Sequence, residues 1–299
     1  MDNLLISPAP HLKSPNHNAQ IMRDVLVALV PATLAAVYFF RMPALILVIS
    51  GLVSAVFFEF TSALVKKTTP TPADLCSAAI TGLLIALIVS PATPWWMVVV
   101  GCLVAIIFAK QLFGGLGHNI FNPALAGRAF MLASWPIIMT TWLSPFDLVA
   151  SATALGENAA KVTYWQLWLG TRAGSIGETS TFAILIGAAY LFWRKSADWK
   201  IPLAYIITVA YGALLLGQDP VFHLMAGGLM LGAFFMATDP VTSPVTKTGR
   251  YIFGAGAGVL TLAIRMGGGY PEGVCYAILL MNILTPLIDR YTQRRVYGH

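Results

Sequence analysis

Charged residues are scarce in this chain. Only 10% of the 299 residues are Asp, Glu, Lys or Arg, whereas 58% are hydrophobic and the mean hydropathy is +0.76. A soluble domain carries about a quarter charged residues. The composition therefore predicts an integral membrane protein, with room for roughly ten spans of about 20 residues and none for a separate soluble domain.

Cysteine clusters and nucleotide-binding glycine loops are also missing. Cys76, Cys102 and Cys275 lie far apart, without the close Cys or His spacing of iron–sulfur and zinc sites. The glycine runs at 114–117, 254–258 and 267–269 do not follow a strand, so Rossmann and P-loop sites are not expected. Residues 1–24 contain three prolines and no long apolar core, which argues against a cleaved signal peptide.

The chain does contain a succession of ten apolar blocks. They cover Val25–Phe40, Ala44–Leu64, Leu75–Val89, Trp95–Ala109, Pro123–Met139, Thr179–Trp193, Ile201–Leu216, Val221–Ala237, Tyr251–Ile264 and Val274–Ile288. Because an open sheet edge cannot face lipid, these blocks must be helices. The predicted fold is an all-α integral membrane protein with about ten transmembrane helices.

The positive charges predict the orientation of these helices. With ten spans and a cytoplasmic N-terminus, fourteen of the 18 lysines and arginines lie at inner ends. The remaining four are Arg41, Lys161, Arg172 and Arg265. The positive-inside rule then places both termini in the cytoplasm and the long connection from Thr140 to Glu178 outside it. Long connections of this kind are usually functional or disordered.

Two segments suggest an internal repeat. Asn122-Pro123 follows the fourth block and Asp239-Pro240 follows the eighth, and each combines an N-cap residue with proline at a first helical position. Five spans per half would make the halves inverted, and interrupted segments at matching positions point to a central site. The alternative is that each is only an ordinary helix start.

Glu59 is the only acid well inside an apolar block, and buried acids in membranes are candidates for ion handling. Its nearness in sequence to Lys66 and Lys67 favours a structural ion pair with them at the cytoplasmic edge. No series of acids crosses the membrane, so a proton pump made by this chain alone is not expected.

A short polar stretch, Asp147-Leu148-Val149-Ala150-Ser151-Ala152-Thr153, lies in the outer connection. A hydroxyl at Thr153, six residues after an acid on an exposed loop, could carry a group covalently. An Asp and a Thr are also common in ordinary turns, so the stretch alone leaves both interpretations open.

Several longer stretches resemble the NqrB/RnfD family of membrane subunits. They are PATPWWMVVVGCLVAIIFAKQLFGGLGHNIFNPA from Pro91, LMLGAFFMATDPVTSPVTKTGRYIFG from Leu229, GGYPEGV from Gly268 and PLIDRYTQRRVYGH from Pro286. Members of this family are subunits of the bacterial Rnf electron-transport complex and of the sodium-pumping NADH:quinone oxidoreductase. The resemblance covers nearly the whole chain, and the ending favours the RnfD branch.

The resemblance implies FMN bound through a phosphoester bond to a threonine, attached by an extracytoplasmic flavin transferase that recognises approximately Asp-x-x-Ser/Thr-Gly-Ala-Thr. On this chain the acid falls on Asp147 and the acceptor on Thr153. Ala150 and Ser151 depart from the pattern. The competing acceptors are Thr179, Ser180 and Thr181.

The resemblance also implies a non-covalent riboflavin, for which we predict the neighbourhoods of Asn122 and Asp239. It implies a urea-transporter-like fold of two inverted five-helix repeats. No catalytic or metal-binding residue is assigned.

The predicted function is that of a membrane component of an Rnf-type ferredoxin:NAD oxidoreductase. It would pass electrons through covalent FMN, coupled to Na+ or H+ translocation, and would not be catalytic alone. Its expected partners are RnfA, RnfB, RnfC, RnfE, RnfG, the flavin transferase and membrane lipid, with no nucleic acid. The alternative is a non-redox channel or transporter of small solutes.

The predicted division of the chain follows from these assignments. Residues 1–24 form a cytoplasmic segment, 25–139 the first five-helix half, 140–178 an extracytoplasmic loop with the flavin attachment site, 179–288 the second half and 289–299 a cytoplasmic tail. The expected location is the bacterial inner membrane.

Overall fold

The computed structural model describes residues 18–151, 155, 163–267 and 273–293. The elements are α1 Asn18–Val65, α2 Pro72–Leu87, α3 Trp95–Leu103, π1 Val104–Gln111, α4 Pro123–Ser134, α5 Pro136–Met139, β1 Trp142–Leu143, β2 Ala150–Ser151, α6 Tyr164–Leu169, α7 Thr181–Trp193, α8 Lys200–Leu215, α9 Pro220–Met225, α10 Leu229–Leu231, π2 Gly232–Met236, α11 Lys247–Gly267 and α12 Val274–Thr292. The all-α prediction is confirmed, since extended structure among the described residues is a ribbon of two residues per strand.

Helix α1 contains the first two apolar blocks. Arg41 interrupts it between the blocks, with φ 49° and ψ −128°. A non-glycine residue rarely adopts a positive φ, and Pro43 lacks the N–H that would continue the helical hydrogen bonds. The interruption therefore lies where the sequence predicts a boundary between two spans. The helix begins at Asn18, inside the predicted N-terminal segment 1–24.

In the part of the chain that the structure describes, two helices, α1 and α12, are long and apolar enough to cross a bilayer. Shorter apolar helices cover 72–87, 95–111, 181–193 and 200–215. Large apolar side chains on their outer surfaces stay exposed, for example Leu34 at 65%, Val53 at 63% and Leu214 at 62%. Exposed apolar area of this extent belongs against lipid or another protein, which agrees with a membrane protein.

The eighth apolar block is not one helix. Helix α9 ends at Met225, and Ala226, Gly227 and Gly228 separate it from α10. The two glycines have φ of 64° and 68°, a conformation that glycine adopts without steric cost. The block continues into π2, and the fourth block likewise ends in π1. Such π segments are rare and frequently occur at functional sites. The described helices are therefore irregular in two of the apolar blocks.

Helices α1 and α2 approach closely at a pair of glycines. A Cβ on Gly82 would meet the carbonyl oxygen of Gly51, and a Cβ on Gly51 would meet that of Gly82. Small residues at helix contacts allow backbones to approach in this way, as is common in membrane bundles.

We expect the substitution Gly82→Ala to destabilise the protein by about 1–3 kcal/mol, because the added methyl group overpacks the helix contact. The same methyl group would lie 2.7 Å from Cβ of Ala55. Thermal unfolding in detergent measures the effect. Gly267→Ala is the matched control, since no heavy atom lies within 4 Å of a Cβ there; equal melting temperatures for the two variants would contradict the prediction.

Candidate functional site

A cavity with apolar and polar lining lies where the end of π1, the start of α4 and the segment after π2 meet α2. Its volume is about 670 Å³, including the part that opens to solvent. The polar residues that line it include Thr81, Lys110, Asn119, Asn122, Thr238 and Asp239. The structure thus brings the predicted neighbourhoods of Asn122 and Asp239 together, and we call this space the Asn122–Asp239 cavity.

Asn122 joins three elements at the cavity. Its side-chain oxygen accepts from the backbone N–H groups of Ala124 and Leu125 at 3.0 and 3.4 Å, so it is the N-cap of α4, as predicted. Its amide nitrogen donates to the carbonyl of Met236 at the end of π2, at 3.2 Å. Its backbone N–H donates to Oδ1 of Asn282 on α12, at 3.1 Å. The side chain is therefore held in one orientation.

Asp239-Pro240 does not begin a helix, so that part of the prediction is wrong. The segment forms turns, in which the Thr242 hydroxyl donates to Oδ2 of Asp239 at 2.9 Å, and α11 starts only at Lys247. The physical reason is Pro244. In a helix that began at Pro240, Pro244 would occupy an interior position, where it removes a hydrogen bond and clashes with the preceding turn.

Glu59 pairs with Lys110 and not with Lys66 and Lys67, so the predicted ion pair is also wrong. The Lys110 ammonium lies 3.1 Å from Oε1 of Glu59, and the two side chains are 1% and 2% exposed. Gln111 donates to the same oxygen at 2.8 Å and accepts from Lys66 at 2.7 Å. Segment π1 brings the consecutive residues 110 and 111 to the same carboxylate. Nearness in sequence to Glu59 points only to Lys66 and Lys67, so it could not predict this contact between distant segments.

Two arginines donate hydrogen bonds to the carbonyls at the end of α9, where residues 226–228 form the helix break. Arg265 donates to the carbonyls of His223 and Ala226 at 2.7 and 2.9 Å, and Arg172 donates to that of Met225 at 2.6 Å. The last carbonyls of a helix lack partners within it, and cations stabilise this end. The positive-inside rule predicts a location outside the cytoplasm for both arginines but indicates no structural role for them.

A buried ion pair adjoins this break. Arg128 on α4 lies 3.2 Å from the carboxylate of Glu178, with the side chains 6% and 8% exposed. The backbone carbonyl of Glu178 also accepts from Arg172 at 3.3 Å. A Cβ on Gly228 would meet the Glu178 carboxylate, so a larger residue there would displace this side chain. We call the group Arg128, Arg172, Glu178 and Arg265 the break cluster.

The predicted attachment stretch begins on a turn that is fixed to α1. Asp147 is exposed at the turn of the β1–β2 ribbon, between Phe146 and Leu148, which have positive φ values of 68° and 54°. The N–H of Phe146 donates to the carbonyl of Phe39 at 3.0 Å, and the two rings make an edge contact at 5.5 Å. Thr153, the predicted acceptor, lies outside the described residues.

The competing acceptors are buried. Thr179, Ser180 and Thr181 are 1%, 6% and 1% exposed. The Thr181 hydroxyl donates to the carbonyl of Leu167 at 3.1 Å, and the Ser180 hydroxyl accepts from the N–H of Ala183 as the N-cap of α7. An external enzyme could reach these hydroxyls only if the start of α7 opened.

The 140–178 connection is tied to the start of α9 as well. The Tyr164 hydroxyl forms a short hydrogen bond with the carboxylate of Asp219, the N-cap of α9. This hydrogen bond holds the pKa of Asp219 below its usual value. Helix α6 is thereby attached to the start of α9, at the end opposite the break.

We expect Lys110→Met to destabilise the protein by about 3–5 kcal/mol, because it leaves the Glu59 carboxylate buried without its counter-ion. The double variant Glu59→Met with Lys110→Met should recover most of that loss, since apolar residues of similar volume replace a buried pair at little cost. Thermal unfolding of the two single variants and the double variant checks this. Additive destabilisation would show that the two residues do not act as a pair.

Comparison with known proteins identifies the family. The chain matches the NQR2, RnfD, RnfE family over residues 5–298. It is 46% identical over 307 residues to the D subunit of the Na(+)-translocating ferredoxin:NAD(+) oxidoreductase complex of Acetobacterium woodii, and the match covers 99% of this chain and 96% of the relative. It is also 46% identical to the D subunit of the proton-translocating ferredoxin:NAD(+) oxidoreductase complex of Clostridium ljungdahlii, over 98% of this chain and 96% of the relative.

A more distant relative is the D subunit of the ion-translocating oxidoreductase complex of Escherichia coli K12, with 37% identity over 98% of each chain. By their names these relatives are subunits of redox-driven, ion-translocating complexes. The resemblance that the motifs indicate is confirmed. The chain therefore belongs to the NQR2, RnfD, RnfE family.

Proposed function

We propose that this chain is the D subunit of an Rnf-type ion-translocating ferredoxin:NAD oxidoreductase and passes electrons through covalently bound FMN. The observation that carries the proposal is the 46% identity to two such subunits over nearly the full length of both chains. The sequence contains no cysteine cluster that could hold an iron–sulfur centre, so other subunits must provide such carriers. The proposed partners are RnfA, RnfB, RnfC, RnfE and RnfG. The coupling ion is Na+ or H+, the two ions that the relatives' names specify.

The proposed attachment site for FMN is Thr153, with Asp147 as the acid that the flavin transferase recognises. The exposure of Asp147 on a fixed turn supports this role, because a recognition residue must be accessible to a second protein. The burial of Thr179, Ser180 and Thr181 disfavours the competing acceptors. The distribution of lysine and arginine supports a location of this stretch outside the cytoplasm, on the side where the transferase acts.

The proposed site of the non-covalent flavin, riboflavin, is the Asn122–Asp239 cavity. Like most small-molecule sites, the cavity is lined mainly by apolar groups with a few polar ones. Ile80, Leu84 and Phe235 provide apolar walls, and Asn119 and Thr238 provide polar groups. A bound flavin supplies the redox chemistry, while these residues bind it, orient it and restrict water.

The proposed architecture is ten spans in two inverted halves. The third block of the first half ends at Ser90-Pro91, and the third block of the second half ends at Asp239-Pro240. We therefore pair these two positions in the repeat, in place of Asn122 with Asp239. Five spans per half put the two turns on opposite sides of the membrane, as inverted repeats require. Both termini are cytoplasmic and the membrane is the bacterial inner membrane.

We expect in-gel flavin fluorescence from the purified full-length chain when it is produced with an active flavin transferase, and none from Thr153→Val. Thr140→Val is the matched control, an exposed threonine of the same outer connection whose removal should leave the fluorescence unchanged. If the fluorescence persists in Thr153→Val but disappears in Thr181→Val, the acceptor is Thr181 and not Thr153. A wild-type band without flavin fluorescence, from cells with an active transferase, would favour the alternative function of a non-redox transporter.

For the non-covalent site we expect Asn119→Leu to lower the amount of flavin released by denaturation, while the fluorescent band in the gel stays. The loss of a buried hydrogen-bonding group costs about 1–3 kcal/mol. The affinity of the cavity for the non-covalent flavin should therefore fall roughly fivefold or more. Chromatography of the released flavin measures this, and Gln218→Leu, at an exposed position, is the control. Equal release from both variants would exclude Asn119 from the site.

A further inference from the structure

A second cavity lies at the turn that joins α7 to α8. Its charged lining residues are Lys195, Asp198, Lys200 and Arg250, and Trp199 lies among them. Four residues line both this cavity and the Asn122–Asp239 cavity: Ser196, Ala197, Thr238 and Pro240. The two spaces therefore share a wall, which the turn provides. We call the second space the α7–α8 cavity.

The α7–α8 cavity keeps an excess of positive charge after its ion pairs are counted. Asp198 pairs with Lys200 at 3.1 Å and also with Arg250. One carboxylate thus balances only one of these two cations, and Lys195 has no carboxylate within ion-pair distance among the described residues. Arg250 is held in place through Nε, which donates to the carbonyl of Pro244 at 3.0 Å, while its Nη2 has no hydrogen-bond partner in the described part of the chain. The cavity therefore suits an anion.

Lys195 presents its ammonium from a fixed point of the backbone. The N–H groups of Lys195 and Ser196 donate to the carbonyls of Phe192 and Leu191, and Lys195 has a φ of 56°. These two hydrogen bonds are those of a Schellman helix end, whose left-handed residue is usually glycine or asparagine. The side chain is exposed. Asparagine can therefore replace this lysine and remove the charge without disturbing the end of α7.

Exposed apolar side chains continue from the cavity along α8. Trp199, Leu203 and Ile207 recur at every fourth residue, which places them on one face of the helix, and all three are exposed. The Lys200 ammonium lies 5.2 Å from the centre of the Trp199 ring, and this ring makes an edge contact with Tyr251 at 6.4 Å. Trp199 thus connects the charged cavity to an apolar strip.

The chemistry that fits both parts is that of an anionic phospholipid. Ammonium and guanidinium groups bind phosphate oxygens strongly, and basic pockets between membrane helices bind anionic headgroups. Tryptophan and tyrosine are enriched at the depth of the headgroups. The exposed apolar strip beyond them suits an acyl chain. A free phosphate would use the charges but would leave the strip uncovered.

We propose that the α7–α8 cavity binds the headgroup of an anionic phospholipid, with Lys195 and Arg250 at its phosphate and an acyl chain along α8 beyond Trp199. The bound lipid contacts the turn that forms a wall of the Asn122–Asp239 cavity and so stabilises that wall. The distribution of lysine and arginine predicts that this edge faces the cytoplasm. The binding itself depends only on the geometry and charge of the cavity.

Native mass spectrometry of the full-length chain in a neutral detergent tests the proposal. The first phosphatidylglycerol should bind several-fold more tightly than phosphatidylcholine with the same acyl chains, because the choline group cancels the charge of the phosphate. Lys195→Asn should weaken this first binding about fivefold, since each basic residue near anionic lipid contributes roughly that factor. Lys195→Arg, which keeps the charge, should bind like the wild type.

Lys67→Asn is the matched control. Lys67 follows the last turn of α1 with the same pair of backbone hydrogen bonds, has a φ of 55° and is exposed, but it does not line the cavity. Its substitution should leave the first binding constant unchanged. Equal losses in Lys67→Asn and Lys195→Asn would show only a general attraction of basic surface to anionic lipid, and would overturn the site.

Glycerol 3-phosphate separates a lipid from a free phosphate as the occupant. This compound carries a phosphate but no acyl chain, so a large molar excess should not displace phosphatidylglycerol. Displacement would identify a site for free anions and overturn the assignment to lipid. The measurement in detergent requires neither covalent FMN nor a particular orientation in the membrane. A negative result would therefore overturn the lipid site and leave the proposed function as it stands.

Discussion

The structure depends on one constraint: every backbone N–H and C=O group inside the bundle needs a hydrogen-bond partner from the protein. Water does not reach these groups, and lipid chains offer no hydrogen bonds. A continuous helix provides these partners by itself, but an interrupted helix does not. The carbonyls at the end of α9 therefore accept from Arg172 and Arg265, and those at the end of α2 accept from the N–H groups of Ile176 and Gly177. Each of these interruptions is matched by a donor from a distant part of the chain.

This requirement explains why buried polar residues and irregular helices coincide. Asn122 donates to the last carbonyl of π2 while it caps α4, so one side chain serves two helix ends. Lys110 and Gln111, at the end of π1, both reach the carboxylate of Glu59. The same groups line or adjoin the Asn122–Asp239 cavity. The polar lining of this cavity thus includes residues that the interruptions already require.

Hydropathy predicts the helical blocks well, because burial in lipid demands long apolar helices and little else. Local cap chemistry predicts the start of α4 at Asn122-Pro123, but the same signal fails at Asp239-Pro240, where Pro244 excludes a helix. Long-range partners are not readable from one sequence. Glu59 and Lys110 are 51 positions apart, and nothing in their neighbourhoods distinguishes Lys110 from the nearer Lys66. The arginines at the break likewise act through contacts that only the fold creates.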